Sequence, residues 1–151
     1  MSGPTYENET PQFELELLPE GTRVEDIEQT VTATFAFVQN EAGEILTLKN
    51  ERGRDIPGGH LDGDETVIEA THREVLEEGC VSITDLELFA VIKNGPTAMA
   101  VFRAKPTEIH KFKPDEVDPT SDRAWMTKAD FRAEYSGGDT DMMDRLLAAL
   151  P

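Results

Sequence analysis

Three glutamates stand close together in the stretch GGHLDGDETVIEATHREVLEEGC, residues 58–80. Glu74, Glu77 and Glu78 lie within about one helical turn of each other, and like charges at that spacing repel. Helical residues three and four positions apart share a face, so the three carboxylates fall on one stripe. The spacing favours a site for a hard divalent cation, because carboxylate oxygens suit Mg²⁺ or Mn²⁺.

The alternative is an ordinary solvated run of charge. Such a run would mix the glutamates with lysines four positions away, and the predicted helix contains no lysine. The preceding residues on the glutamate stripe are small or apolar: Val67, Ala70 and Thr71. The residues that point elsewhere are predicted to form the solvated face: Glu69, His72 and Arg73.

The same stretch resembles the Nudix box, whose pattern is G-x5-E-x7-R-E-U-x-E-E-x-G-U with U aliphatic. Residues 59–81 follow the pattern, apart from its last glycine, where this chain has Cys80 and carries Gly79 one position early. The matching residues are Gly59, Glu65, Arg73, Glu74, Val75, Glu77, Glu78 and Val81. The resemblance implies a Nudix hydrolase with an α/β fold, an α/β/α sandwich built on a mixed β-sheet.

The resemblance also implies roles for residues of the box. The metal ligands would be Gly58, through its carbonyl, together with Glu74, Glu77 and Glu78. The catalytic set would comprise Glu77, Glu78, Arg73 and Glu65, with Arg73 orienting the glutamates and Glu65 as its ion-pair partner. For the Arg73–Glu65 pair, ordinary helix electrostatics is an equally good explanation.

The resemblance implies cleavage of the pyrophosphate linkage in a nucleoside diphosphate derivative, with Mg²⁺ or Mn²⁺ as cofactor. The approach RGRDIPGGH is similar to that of MutT-type members, which act on nucleoside triphosphates, including oxidised ones. Pro96, fifteen residues after Val81, favours an ADP-ribose or nucleotide-sugar pyrophosphatase instead, although a hairpin turn also explains it. A non-catalytic nucleotide sensor on the same fold is the third alternative.

Residues outside the box are candidates for contacts with this small-molecule nucleotide. Arg52 and Arg54 precede the glycines, and together with Gly59 and His60 they are the predicted substrate-binding residues. The general base is sought in the acidic stretch PDEVDPTSD, with Glu116 first and Asp118 second. A solvated acidic loop is the alternative for that stretch.

The surrounding pattern predicts a tail at residues 1–12 and a single domain at 13–151. The β-branched, aromatic and alternating segments predict strands, with the third returning to pair with the second: residues 13–18, 30–39, 45–49, 86–94, 97–104 and 123–126. The 3.6-residue periodicity predicts helices, of which the first is capped by Asp64 and ended by Gly79: residues 65–78, 128–135 and 141–150. Loops are predicted at residues 50–64 and 105–121.

The charge balance restricts the partners. Acidic residues outnumber basic ones by 31 to 14, giving a net charge of −17. Binding through nucleic-acid phosphates needs a positive surface, so we expect no nucleic-acid partner. The acidity also leaves a high-salt environment open.

The composition also bears on location. No apolar run approaches the roughly 20 residues of a membrane span, and residues 1–12 lack the features of a signal peptide. Cys80 is the single cysteine, which suits a reducing compartment. We therefore expect a cytoplasmic protein without a membrane partner, and the sequence leaves a homodimer open.

Overall fold

The structure is a computed structural model that describes residues 13–113 and 122–151. The predicted tail at residues 1–12 lies outside the described residues. The same holds for residues 114–121, which include both candidate bases, Glu116 and Asp118.

The larger sheet of the described chain is mixed. Its strands lie in the order β1-β6-β7-β2-β5, with β2 and β7 parallel and the other neighbours antiparallel. Their bounds are β1 Glu14–Leu17, β2 Thr30–Val38, β5 Gly58–His60, β6 Val81–Asn94 and β7 Thr97–Ile109. The predicted hairpin across Gly95-Pro96 is confirmed, and it is longer than predicted because residues 105–109 continue β7 instead of starting a loop.

The smaller sheet corrects the prediction for the third strand. Strand β3, Ile45–Asn50, pairs with β4, Gly53–Asp55, and with β8, Asp122–Met126. Only the bridge Gln39↔Ile45 links its start to the end of β2 in the described chain. The reason is that residues 45–48 are all buried, so β3 packs against the protein interior on both of its faces. In a hairpin with β2, one face of the strand would be exposed to solvent.

The predicted loop at residues 50–64 also contains structure. Two three-residue strands, β4 and β5, occupy part of it. Their pairing depends on backbone groups of glycine-rich segments, which leave no apolar alternation in the sequence. Strand β5 pairs with β2 through Gly58 opposite Phe35 and Gly59 opposite Thr34.

Helix α1 spans Val67–Gly79, shifted from the predicted residues 65–78. Thr66, not Asp64, caps it: the Thr66 hydroxyl accepts from the Glu69 amide at 3.1 Å, and the Glu69 carboxylate accepts from the Thr66 amide at 2.9 Å. This reciprocal capping box outcompetes a cap two residues earlier. Gly79 is the last helical residue, and Cys80 takes the left-handed conformation that ends the helix.

The helices form the outer layers of an α/β/α sandwich, as predicted. Helices α2 and α3, Lys128–Glu134 and Thr140–Ala148, agree with the prediction to within two residues. They cover one face of the sheet, where Phe131 and Leu146 join Phe37 in one core. Helix α1 covers the other face, where Val75 packs with Val38. None of the helices in the described chain is long and apolar enough to cross a bilayer.

Candidate active site: the glutamates of α1 beside the glycines of β5

Helix α1 is fixed against β2 by its buried stripe. Val67, Ala70 and Thr71, the small or apolar residues that precede the glutamates on their stripe, are buried. The hydroxyl oxygens of Thr71 and Thr34 lie 2.6 Å apart in the interior, and Thr71 also donates to the Val67 carbonyl at 2.8 Å. These contacts set the rotation of α1, so its glutamates face the short strand β5.

Glycines 58 and 59 allow the glutamates to approach the backbone of β5. The Gly58 amide donates to Glu78 Oε1 at 2.9 Å. A Cβ at Gly58 would collide with the Phe35 ring and the Thr34 carbonyl, and a Cβ at Gly59 would collide with the Glu74 carboxylate. Gly58 therefore needs to be glycine because backbone and a ring lie close to it, whereas a side chain at position 59 would displace the Glu74 carboxylate.

Arg73 corrects one prediction and confirms a contact. It was assigned to the solvated face, yet its side chain is only 23% exposed, because it folds back over the glutamates. Its guanidinium donates to Glu65 at 2.6 and 3.0 Å, to Glu74 at 2.5 Å and to Glu77 at 3.3 Å. The predicted Arg73–Glu65 pair is present, although Glu65 precedes the helix.

The Arg73 network also shapes the protonation of its partners. Hydrogen bonds from Arg73 are the main reason that the pKa of Glu65 lies below its usual value. Burial raises the pKa of Glu74, and Arg73 opposes that shift. The same contacts raise the pKa of Arg73, so the guanidinium stays charged. Arg73 thus offsets the repulsion among the glutamates.

The glutamates suit a divalent cation by their chemistry, but their side chains do not converge. Among the described residues, no three His, Cys, Asp or Glu side chains lie close enough together to hold a metal ion as they stand. The reason is that Glu74 and Glu77 turn to Arg73 while Glu78 turns to the Gly58 amide. The set still offers carboxylates on one helix face beside a backbone carbonyl, the oxygen donors that Mg²⁺ takes. Glu77 is half exposed, and its hydrogen bond with Arg73 is longer than those that Arg73 makes with Glu65 and Glu74.

The predicted substrate residues separate in space. Arg54 is 7% exposed and lies in the smaller sheet, where it donates to Asp122 at 2.8 Å and to Thr47 at 3.0 Å and forms an ion pair with Glu134 at 3.4 Å. It is committed to these partners, so we do not retain it as a phosphate ligand. Arg52 is exposed in the β3–β4 turn. The His60 side chain is exposed beside the glutamates, and its carbonyl accepts from Arg73 at 3.1 Å.

A cavity of about 190 Å³ lies on the face of the larger sheet that α3 covers, opposite α1, and was not predicted. Its walls are mostly apolar and include Phe35, whose ring also contacts Gly58. Asp55, Tyr135 and Asp139 add polar groups. Burial raises the pKa values of Asp55 and Tyr135, and the two carboxylates raise that of Tyr135 further. Strand spacing in the sequence does not distinguish a base-stacking role for Phe35 from core packing.

The C-terminal end of α1 has its own set of contacts. Arg123 on β8 donates to the Gly79 and Cys80 carbonyls at 2.9 and 3.3 Å. The Lys113 amide donates to the Cys80 sulfur at 3.5 Å. Both flanks of residues 114–121 therefore touch the glutamate-bearing end of α1.

Solved structures with the same fold include several hydrolases. A NUDIX hydrolase from Nitrosomonas europaea has a TM-score of 0.62 at 21% identity, covering 78% of this chain and 86% of its own. A MutT protein from Methanosarcina mazei Go1 has a TM-score of 0.54 at 19% identity, covering 79% and 94%. An ADP-ribose pyrophosphatase from Streptococcus suis has a TM-score of 0.57 at 20% identity, covering 79% and 90%. At these identities the likeness shows the fold.

Comparison by sequence identifies the family, whereas the structural comparison shows only the fold. No curated protein matches the chain by sequence. The profile of the NUDIX domain matches residues 29–146, which is most of the chain and includes α1, β5 and the smaller sheet. The matched span contains the glutamates, glycines and arginine whose contacts form the site. The chain therefore belongs to the NUDIX domain family and is a Nudix hydrolase.

Proposed function

We propose that the protein hydrolyses a nucleoside triphosphate, ordinary or oxidised, to the monophosphate and pyrophosphate. The observation that carries this is the position of the glutamate face of α1. It meets the glycines of the edge strand β5, and Phe35, which contacts Gly58, also lines an apolar cavity on the other face of the sheet. A nucleotide with its polyphosphate at the glutamates would reach that cavity with its base by passing the sheet edge at β5.

The proposal includes a divalent cation, Mg²⁺ or Mn²⁺. Glu74, Glu77 and Glu78, with the Gly58 carbonyl, would hold it. A bound cation supplies charge neutralisation, a more acidic water and a template for displacement at phosphorus. The need is physical, because a chain of net charge −17 repels a polyphosphate.

The protein's own residues have separate tasks in this proposal. Arg73 keeps Glu74 and Glu65 in place through its fork of hydrogen bonds. Gly59 lets the phosphate chain approach the backbone. Arg52 and His60, both exposed, are the proposed side chains for the phosphates.

We assign the general base to Glu116. The support is that Lys113 and Arg123, on either side of the undescribed residues, both contact the end of α1. A positioned base contributes about 10²- to 10⁴-fold, so Glu116→Gln should lower kcat by that factor and change KM much less. Steady-state kinetics of amide variants at Asp115, Glu116, Asp118 and Asp122 tests this. If only the Asp118 variant loses kcat, Asp118 and not Glu116 is the general base. If all four variants keep kcat within a few fold of wild type, none of these residues is the general base.

Pro96, the feature that favoured an ADP-ribose pyrophosphatase, has a structural reason here. It lies in the β6–β7 turn, and its carbonyl accepts from the Thr30 amide at 3.0 Å, where β2 begins. The Streptococcus suis structure shares the fold, so ADP-ribose belongs in the substrate test. A sensor would bind nucleotides without turning them over.

The experiment is a substrate panel followed by ³¹P NMR. The panel contains nucleoside and deoxynucleoside triphosphates, oxidised dGTP, ADP-ribose and dinucleoside polyphosphates, each with Mg²⁺. We expect monophosphate and pyrophosphate from a triphosphate, and no product with Glu78→Gln. Inorganic phosphate with diphosphate, or turnover of ADP-ribose alone, would contradict the proposal, and so would binding without any product.

A further inference from the structure

The cavity that Phe35 lines has a distinct polar end. Most of its lining is apolar, with Ile56, Met99 and Met142 among the walls. Asp55, Tyr135 and Asp139 supply the ionisable groups, and the two carboxylates lie close enough to Tyr135 to influence its titration. The described residues that line the cavity include no lysine or arginine. The polar end is therefore rich in hydrogen-bond acceptors.

The two carboxylates differ in how they are used. Asp139 caps α3, because its Oδ1 accepts from the Met142 amide at 2.9 Å. Asp55 Oδ1 accepts from the adjacent Ile56 amide at 2.8 Å. Asp55 keeps an exposed surface. Burial raises the pKa of its carboxyl group, and the Ile56 amide and Arg52 oppose that shift. A carboxylate has about four acceptor positions and no donor when ionised, so Asp55 has acceptor capacity left for a ligand.

The size of the cavity suits a single ring system. At about 190 Å³ it is smaller than the pockets of about 300–1,000 Å³ that hold drug-sized ligands. Phe35 and Tyr135 offer aromatic faces, and nucleobases are commonly bound between such side chains while their Watson–Crick edge is read by hydrogen bonds. Phe35 also contacts Gly58 on the edge strand β5, and the Gly58 amide donates to Glu78, so a nucleotide with its base in the cavity would extend its phosphates past this edge toward the glutamates.

Resting on the proposed function, we propose that Asp55 is a specificity-determining residue that selects guanine. Among the standard bases only guanine presents two neighbouring N–H donors on its Watson–Crick edge, at N1 and at the exocyclic N2. A carboxylate accepts both in a charge-assisted, bidentate pair. Adenine, cytosine and uracil each place an acceptor where the second donor would be, so they leave the carboxylate poorly matched. Good bidentate pairs discriminate between bases by about 10- to 100-fold.

The variant Asp55→Asn distinguishes a role of Asp55 in selecting guanine from a purely structural role in binding the Ile56 amide. The asparagine side-chain oxygen can keep the bond to the Ile56 amide, so the β4 end is preserved. Its NH₂ group then faces the cavity as a donor, which opposes guanine and suits the N1 acceptor of adenine. Asp141→Asn is the matched control, because Asp141 is exposed in the first turn of α3 and does not line the cavity.

The test is kcat/KM for dGTP, dITP and dATP with wild type and both variants. All three substrates carry the same phosphates, so their ratios isolate the base. We expect wild type to prefer dGTP over dATP by about 10- to 100-fold, with dITP, which lacks the N2 amino group, in between. Asp55→Asn should lower the dGTP/dATP ratio by about 10-fold or more, and Asp141→Asn should leave it unchanged.

Calorimetric titration of GMP and AMP gives a second readout that needs no turnover. Hydrolysis without a guanine preference, or a ratio unchanged in Asp55→Asn, would overturn the Asp55 assignment and leave the proposed function standing. A GMP preference that is lost in Asp55→Asn, in a protein that hydrolyses no nucleotide, would support the assignment and overturn the proposed function. Absence of both turnover and GMP binding would overturn both.

Discussion

Arg73 shows how one side chain can make a repulsive cluster tolerable. The three glutamates of the α1 face would repel one another at their spacing, and Arg73 contacts two of them as well as Glu65. Its fork geometry holds Glu65 through two bonds, which a lysine cannot reproduce. The third glutamate, Glu78, is held separately by the Gly58 amide.

Glu78→Gln should remove most of the activity and leave the fold intact. The amide oxygen of glutamine can still accept from Gly58, whereas the charge that attracts a cation is lost. Relief of repulsion should leave the metal-free protein as stable as wild type, or more stable by roughly a few tenths of a kcal/mol. Turnover at saturating Mg²⁺ and thermal unfolding test both parts.

A control for that variant exists on the same helix. Glu69→Gln makes the same change in the capping box, where glutamine also serves, and should retain both activity and stability. Wild-type kcat in Glu78→Gln at saturating Mg²⁺ would refute the role of Glu78.

At the scale of the elements, the end of α1 is the point where the chain departs from the pattern of its family. Cys80 adopts φ 55° and ψ 41°, a conformation that glycine takes without cost and other residues take at about 1–2 kcal/mol. Arg123 and Lys113 hold this end from outside, by contacts with the Gly79 and Cys80 carbonyls and the Cys80 sulfur.

Cys80→Gly should therefore stabilise the protein. Relief of the left-handed strain outweighs the two long sulfur contacts with the Lys113 backbone, so we expect a gain of about 1 kcal/mol, or a rise in Tm of about 2–4 °C. Differential scanning calorimetry measures it. An unchanged or lower Tm would show that the sulfur contacts with Lys113 contribute more than the strain costs.

The smaller sheet has an acid-sensitive ion pair. Hydrogen bonding to Arg54 holds the pKa of Asp122 below its ordinary value of 3.8. A lowered pKa in the folded state contributes stability that is present above the unfolded pKa and is lost as the pH falls through the folded pKa. Asp122→Asn should thus be less stable than wild type near neutral pH, with a difference that shrinks below about pH 4.

Urea unfolding between pH 7 and pH 3 measures that difference. Asp141→Asn, a matched change at an exposed helical position, should show a small difference at every pH. A gap between Asp122→Asn and wild type that stays constant with pH would contradict the assignment.

The elements also show where sequence reasoning succeeds. The glutamate stripe and the β6–β7 hairpin follow from local spacing, and the Arg73–Glu65 pair follows from the resemblance to the Nudix box. All three are present. The partner of β3 was wrong, because pairing with β8 joins residues far apart in the chain and leaves no local pattern. Arg54 was misplaced for the same reason, since its partners come from three other elements. The cavity was missed because it forms where residues from β2, β4, β6, β7 and α3 meet, which are far apart in the chain.

At the scale of the whole molecule, the net charge of −17 sets the conditions for function. A polyanionic substrate and an acidic protein repel, and the basic side chains near the glutamates are few: Arg73 is already engaged by carboxylates. We therefore expect turnover to require a divalent cation.

The measurement that tests this most directly is pyrophosphate release from a nucleoside triphosphate across a metal titration. The protein is first treated with excess EDTA and dialysed, and Mg²⁺ is then added back in steps. The account predicts no turnover in EDTA and full recovery with Mg²⁺, and no recovery in Glu78→Gln at the Mg²⁺ concentration that saturates wild type. Undiminished turnover in excess EDTA would contradict it.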